Sequence, residues 1–503
     1  MPISFEVRDT DLMGRLGLLR VGGLSVETPC LVPVVHPVVH DIPLSKYREM
    51  GFGAVMTNSF IAYRRRKEEA LEKGLHNILG FDGVIMTDSG GYQVLRYGKL
   101  DITPMMIGEF QSAIGSDLAV TLDQPTGYSL SREYATETMK VSLNGARETI
   151  EKLGGSRTTW VGPIQGGLFP DIVARSSKSL LAAGFEMLAL GSPVELMDNY
   201  RFAELVKMIV AAKKSIPFSM PLHLFGAGHP LTLPLSVALG CDTFDSASYI
   251  LFAKQGRYMT ERGTLVLEQM TYLPCSCPVC NATSKNDLIL MDSSERMKRL
   301  ALHNLYILRQ DVLRCREAIS EGRLWDLVEE RATAHPRGWS AFEEMARNSE
   351  LLVAGTRFMK ERGLMVRSPL DEGRPELGLV RVHLAPLMKR RGRRAILVRV
   401  GAEKPLRTVA SYQEASRKQK EDVADVYKLH PFLGPYPAEL ELVYPFSQTV
   451  TDHEAGQEDV RRAVTHLRAM GYETVLVVGD VGSGVRSRRR SRSRGPSPSA
   501  RVP

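Results

Sequence analysis

From the N-terminus to about residue 250 the chain repeats one unit: a helix, a glycine, a short apolar strand, then a polar or glycine residue at the strand end. The expected strands are 30–35, 54–58, 84–88, 117–123, 159–165, 185–190, 221–225 and 241–245. Helices over about 43–50, 170–183 and 230–239 run into Gly51, Gly184 and Gly240, and glycine just past a helix is the usual C-terminal stop. Strands alternating with helices imply right-handed βαβ units and a parallel sheet. Eight such units close an α/β (β/α)8 TIM barrel. A doubly wound open sheet is the competing arrangement, but no Gly-x-Gly-x-x-Gly follows the first strand to support it.

The strand ends indicate what kind of barrel this is. Val84-Ile-Met-Thr-Asp-Ser-Gly-Gly-Tyr-Gln-Val94 runs from apolar strand into Asp88, and two glycines then let backbone approach a ligand. Alone, Asp-Ser-Gly-Gly reads as a turn. The arrangement recurs, however: strand ends also carry Asp123, Gln165, Gly191, Gly226 and Asp245. In barrels of this kind chemistry sits on that rim. Like charges repel, so three carboxylates on one rim serve a site rather than stability.

Charge and hydropathy exclude some classes. The net charge is +8, yet the tail from Arg486 holds seven arginines and no acids, so the rest of the chain is close to neutral. Polyanion binding would therefore come from local patches and the tail. The one long uncharged stretch, 215–241, contains Pro217, Pro221, Pro230 and Pro234, which argues against a membrane span. No charged-then-apolar leader is evident, and a cytoplasmic location is expected.

Three of the six cysteines fall within six residues, as Cys275-x-Cys277-x-x-Cys280, with His303 on a following helical stretch. Three thiolates and an imidazole form a closed tetrahedral set, so one structural zinc per chain is expected. His223 and His229 compete with His303 for the fourth position. Cys30, Cys241 and Cys315 read as buried thiols.

The expected domains are a catalytic barrel with its zinc subdomain over 1–360, a smaller α/β domain over 361–482, and a disordered Arg/Ser-rich tail over 483–503. In the second domain Leu379–Leu384 alternates like a strand, another strand is expected over 395–400, and a helix from about Gln457 leads to a strand at 474–478. Between the first two lies Lys389-Arg-Arg-Gly-Arg-Arg394, whose Arg390, Arg391, Arg393 and Arg394 are candidate RNA-phosphate contacts, or simply a solvated turn. Gly479–Gly484 is glycine-rich but no helix follows it, so a phosphate loop is not expected there.

Several motifs together resemble the tRNA-guanine transglycosylases, in particular the archaeal branch that begins archaeosine synthesis. They are Thr87–Gln93, Asp123-Gln-Pro-Thr126, Gln165-Gly-Gly167, Leu188-Ala-Leu-Gly191, Phe244-Asp-Ser-Ala247 and the Cys/His set. The resemblance spans roughly residues 5–480, with Pro435–Leu440 and Tyr444–Gln448 similar to the archaeal C-terminal extension. It implies exchange of guanine at position 15 of the tRNA D-arm for 7-cyano-7-deazaguanine, without breaking the phosphodiester chain.

By match to the motifs, Asp245 would be the nucleophile on ribose C1′ and Asp88 the general acid and base. An anion opposite the leaving base suits an oxocarbenium-like transition state. Asp123 would read the N1–H and 2-amino donors of the base. Gln165 and a backbone N–H near Leu188 and Gly191 would address its O6, with Tyr92 and Phe225 sandwiching the ring.

The implied partners are tRNA, guanine and 7-cyano-7-deazaguanine, with no membrane; a homodimer and a separate PUA-domain protein are further candidates. The PUA domain usual in the archaeal branch is expected to be absent. A catalytically silent tRNA-binding paralogue is the competing function, but such relatives lose one or both of the aspartates found here at 88 and 245. A carboxylate-pair sugar hydrolase is a third, less compatible with the zinc set.

Overall fold

Residues 30–246 supply eight parallel strands: β4 (Cys30–Pro33), β5 (Ala54–Asn58), β6 (Val84–Asp88), β7 (Leu118–Val120), β8 (Thr159–Ile164), β9 (Met187–Leu190), β10 (Leu222–Leu224) and β11 (Thr243–Ser246). Their order is β4-β11-β10-β9-β8-β7-β6-β5. The remaining seam is drawn together beyond β4, where the Val35 N–H donates to the Met56 carbonyl at 2.8 Å and Val34 bridges Met56. The expected barrel is the fold observed. The computed structural model describes residues 3–91, 102–399 and 424–479, with Gln413, Glu414 and Arg417.

The pleat sorts side chains into two populations. Val32, Met56, Val84, Met86, Leu118, Val120, Val161, Met187 and Ala189 form the barrel interior. Their neighbours Leu31, Val55, Ile85, Ala119, Trp160, Leu188 and Leu190 pack outward beneath the helices. Burying each large apolar side chain contributes about 1.5–3 kcal/mol, so a charge at Val161 would be expected to break the interior layer. The same parity aims the strand ends. On β6 the inward set Val84, Met86 continues to Asp88, and on β9 Met187, Ala189 continues to Gly191.

The helices around the barrel start and stop on local chemistry. Arg132–Leu153 is capped by Ser131, whose hydroxyl accepts the Tyr134 N–H at 3.1 Å. Pro104–Ala113 begins with proline in its first turn behind a Thr103 cap. Gly184 and Gly240, at φ +92° and +94°, end helical segments in the left-handed conformation that glycine adopts without strain.

The first 28 residues depart from the repeat. They form an antiparallel sheet of β1 (Ile3–Asp11), β2 (Gly14–Val21) and β3 (Leu24–Thr28). Its Leu19, Val21 and Val26 join the interior cluster, so it plugs the barrel at the end opposite Asp88. The fully buried Arg15 fastens the plug. Its Nε donates to Asp242 Oδ1 at 2.9 Å and an Nη to the Met220 carbonyl at 3.0 Å, while Asp242 Oδ2 accepts the Leu222 N–H at 2.8 Å.

After the barrel come a hairpin, β12 (Arg257–Thr260) and β13 (Gly263–Val266), the cysteine-rich turn and a 28-residue helix, Ser293–Ser320, capped by Asp292. Chain contacts divide the protein into two units, one running to Val380 with Gln448–Val450, the other made of Arg381–Ser447 and the chain from Thr451. The second contains β14 (Arg394–Val398), β15 (Ala424–His430), β16 (Gly434–Pro437) and β17 (Thr474–Val478), in the order β16-β15-β14-β17. The helix Gln457–Ala469 packs Ala463 and Leu467 against Leu397, Tyr427 and Leu429.

One expected strand is a helix. Pro375–Leu384 starts with proline and Glu376, and its buried Leu377, Val380 and Leu384 share one face at i, i+3 and i+7. The basic run 389–394 therefore links a helical segment to β14 rather than two strands. Tyr92 and the tail over 483–503 lie outside the described residues. Among the described residues no helix is long and apolar enough to cross a membrane.

Candidate active site

At the C-terminal ends of the strands lies a cavity of about 650 Å³ whose walls include Asn58, Asp88, Asp123, Gly191, Phe225 and Asp245. A nucleobase with its ribose fits in that space, which is at the centre of the usual range for ligand pockets. The three aspartates come from β6, the loop after β7, and β11, so the barrel brings together residues up to 157 positions apart.

Each carboxylate is held differently. Asp88 Oδ2 accepts from Asn58 Nδ2 at 2.7 Å, and the backbone at Ser89 and Gly90 donates to the same group. Burial, assisted by the charge of Asp245, nevertheless raises its pKa to about 6. Asp123 is raised further, to about 7, by burial and then by the charge of Asp88. Gln165 Nε2 donates to Asp123 Oδ2 at 2.6 Å and partly opposes that rise. Asp245 Oδ1 accepts the Gly226 N–H at 2.8 Å and a ring nitrogen of His223 at 3.1 Å. Its Oδ2 accepts no hydrogen bond among the described residues.

Gln165 stands behind Asp123 rather than in the cavity wall. It is 1% exposed, and its Oε1 accepts from the Thr126 N–H at 3.0 Å, the Thr126 hydroxyl at 3.1 Å and the Ser192 hydroxyl at 2.9 Å. Leu188 is also away from the cavity: parity turns its side chain outward, and its N–H donates to the Pro221 carbonyl at 3.2 Å. Gly191 does line the cavity, where a Cβ would collide with the Gln165 amide. A Cβ at Gly91 would likewise strike the Asp123 carboxylate, which explains the second glycine of Asp-Ser-Gly-Gly. Phe225 lines the wall with its ring edge-on to His223, centroids 4.8 Å apart.

Three residues near the carboxylates were not assigned to this site from the sequence, His223 having been weighed only as a metal ligand. Asn58 ends β5 beside Asp88, a position its strand-end placement signals. Ser192, left-handed at φ +63°, follows Gly191 and holds Gln165. His223 shares inward parity with Phe225, a signal visible once β10 is recognised.

A separate cluster gathers Cys275, Cys277, Cys280 and His303, with all four candidate ligand atoms within 4.8 Å of one another. His303, not His223 or His229, completes the set. His303 Nε2 lies 2.9 Å from the Met259 carbonyl, which fixes the proton on that nitrogen and leaves Nδ1 to face Cys277 and Cys280 at 3.5 and 3.4 Å. Tyr258 stacks on the imidazole at 3.7 Å, and its hydroxyl reaches Cys280 Sγ at 3.2 Å. These donors fit a single tetrahedral metal ion.

The sequence model of the queuine tRNA-ribosyltransferase family matches residues 9–337. The chain belongs to that family. Among relatives, the tRNA-guanine(15) transglycosylase of Aeropyrum pernix is 44% identical over 353 residues, covering 70% of this chain and 69% of that protein. Enzymes of the same name from Methanopyrus kandleri and Sulfolobus acidocaldarius are 37% and 33% identical, over 92% and 95% of this chain and 100% and 95% of theirs. The span matched to the tRNA-ribosyltransferases contains the three cavity aspartates and all four Cys/His residues.

The basic run lies beyond that span. Arg391 and Gly392 donate backbone N–H groups to Asp425 Oδ2 at 2.8 and 3.3 Å, which shapes the turn. Arg390 bonds the Gly471 carbonyl, and Arg391 and Arg393 sit 3.6 Å from Glu439 and Glu473, all four partners being well exposed. Arg394 opens β14.

Proposed function

We propose that this tRNA-ribosyltransferase removes guanine from position 15 of a tRNA and installs 7-cyano-7-deazaguanine, through a covalent Asp245–ribose intermediate. The observation that carries the reading is the convergence of Asp88, Asp123 and Asp245 on one base-sized cavity, each with separate supporting donors. The position in the tRNA follows the names of the relatives.

The target nucleotide leaves its stack to enter the cavity, at a cost of a few kcal/mol. Asp123 accepts from the N1–H and 2-amino groups of guanine, and Gln165 keeps that carboxylate facing the base. Asp245 Oδ2 attacks C1′; the C1′–N9 bond breaks, and Asp88 gives its proton to the departing guanine. The raised pKa of Asp88 supports the acid role, because near neutral pH a minority of the carboxyls still hold a proton, far more than for an ordinary aspartate. The incoming base then yields its N9 proton to Asp88, N9 attacks C1′, and Asp245 leaves as a carboxylate. Phe225 forms one wall for the ring, and Tyr92 is assigned the other.

We assign the Cys275, Cys277, Cys280 and His303 cluster to one zinc ion, because three thiolates and an imidazole leave no open position for catalysis. It would hold the hairpin to the long helix and take no part in the exchange. The catalytic part is assigned to 1–360 and a tRNA-contacting extension to 361–482, in the cytoplasm where tRNA is modified. Exposed ion pairs are weak, so Arg391 and Arg393 can trade their acids for RNA phosphate at little cost, with Arg390 and Arg394 beside them.

The test is denaturant-quenched trapping of the tRNA adduct, together with displacement of labelled guanine from tRNA by cyano- or aminomethyl-deazaguanine. Asp245→Asn should give no adduct, and the cyano base should displace guanine more efficiently. An adduct in Asp245→Asn overturns the nucleophile, and preference for the aminomethyl base overturns the assigned substrate.

A further inference from the structure

His223 is fully buried inside the barrel, on a three-residue strand whose other members are leucines. A buried imidazole costs stability unless both nitrogens are satisfied. Here both are. One faces Asp245 Oδ1 at 3.1 Å and the other the Thr243 hydroxyl at 2.9 Å. Parallel pairing sets His223 opposite Thr243, and Asp245 follows two residues later on the same face of β11. On a third side the ring meets the edge of Phe225 at an interplanar angle of 75°.

The hydrogen-bond logic fixes the tautomer. An ionised carboxylate only accepts, so Nε2 carries the proton and donates it to Asp245. Nδ1 of the neutral ring then has only its lone pair to offer, and it accepts the Thr243 hydroxyl proton at 2.9 Å. Two donors, His223 and the Gly226 N–H, therefore hold Oδ1, while Oδ2 of this cavity-lining residue accepts no hydrogen bond among the described residues.

We propose that His223 is a positioning residue for base exchange, presenting Asp245 through Oδ2 and favouring release of the ribose from it. This rests on Asp245 being the nucleophile. When C1′ is bonded to Oδ2, Oδ1 is an ester carbonyl and a weaker acceptor. When N9 of the incoming base attacks C1′ and the C1′–Oδ2 bond breaks, the electron pair returns to the carboxylate. The His223 hydrogen bond then becomes charge-assisted and strengthens. It therefore stabilises the departing carboxylate more than the adduct, and its loss should prolong the adduct.

Adducts are formed from tRNA, chased with excess free guanine and quenched over time. His223→Leu should still form the adduct but release it about 10-fold more slowly, with the KM for tRNA unchanged. His223→Gln, which returns an N–H at similar reach, should recover release to within about threefold. Thr243→Val keeps the ring but frees its tautomer and should slow release by an intermediate factor, even if His223→Leu does not fold. Parent-rate release in Thr243→Val and in every folded His223 variant overturns the proposal. An adduct in Asp245→Asn would instead overturn the nucleophile itself, so the two failures are distinct.

Discussion

Gln165 Nε2 and Asp123 Oδ2 lie 2.6 Å apart, and the Gln165 oxygen is already occupied by Thr126 and Ser192. The amide cannot flip without abandoning three donors. It can present only its N–H edge to the carboxylate, which keeps Asp123 an acceptor.

Gln165→Ala should therefore leave Asp123 less ionised and less well aimed. A buried hydrogen bond to a charged group is worth about 1.5–3 kcal/mol, so the KM for guanine should rise about 10- to 100-fold. Adduct chemistry once the base is bound should change far less. Steady-state exchange of labelled guanine separates the two.

Asp88 and Asp123 make folding stability depend on pH with a definite sign. Their folded pKa values, about 6 and about 7, lie above ordinary aspartate, so the native state holds more protons than the unfolded chain between about pH 4 and 7. Through these two groups, stability should fall as pH rises across that window. Asp88→Asn should raise stability at pH 7.5 by roughly 2 kcal/mol and flatten the slope, read by denaturant melts at several pH values. The same variant should lose exchange, and in the parent enzyme adduct formation should decline above about pH 6 as the acid deprotonates.

Removing the metal should unfold more than its own turn. His303 is tied to β12 through the Met259 carbonyl, and the neighbouring Asn304 accepts the Met259 N–H at 2.9 Å. With the zinc assigned above, Cys277→Ser should lower both the metal content and Tm, since metal affinity is folding free energy in such sites. Metal analysis beside a thermal melt checks this; a metal-free variant with the parent Tm would contradict it.

The Arg15–Asp242 pair should matter to folding and not to substrate affinity. Both groups are buried, and removing one partner of a buried pair costs about 3–5 kcal/mol. Arg15→Met should show that loss in denaturant melts, while the KM for guanine at a permissive temperature stays within about twofold.

Much of this was legible because a barrel strand has period two and its rim carries function. Asp88, Asp123 and Asp245 could be found from strand ends alone, and the three cysteines from their spacing, whereas only the fold sets His303, ahead of its rivals, beside them. What was missed shows where one-dimensional reading runs out. The backbone N–H expected near Leu188 depends on pairing that the sequence does not display: the Leu188 N–H itself is taken by the Pro221 carbonyl of the neighbouring strand's approach. Leu379–Leu384 alternates, but Pro375 starts a helix whose buried residues sit at helical spacing. The β1–β3 sheet was overlooked beside the stronger repeat that follows it. His223 needs Thr243 and Asp245 on the next strand, a pairing that sequence order hides.

The four-residue strand β11 is fixed at both ends. Arg15 clamps Asp242 just before it, and Asp245 stands three residues later, about 10 Å along the chain. The reacting oxygen is thus surveyed from a point some 230 positions earlier in the polypeptide. A transplanted or shortened barrel that began at Cys30 would keep every rim acid and lose the anchor from which one of them is aimed.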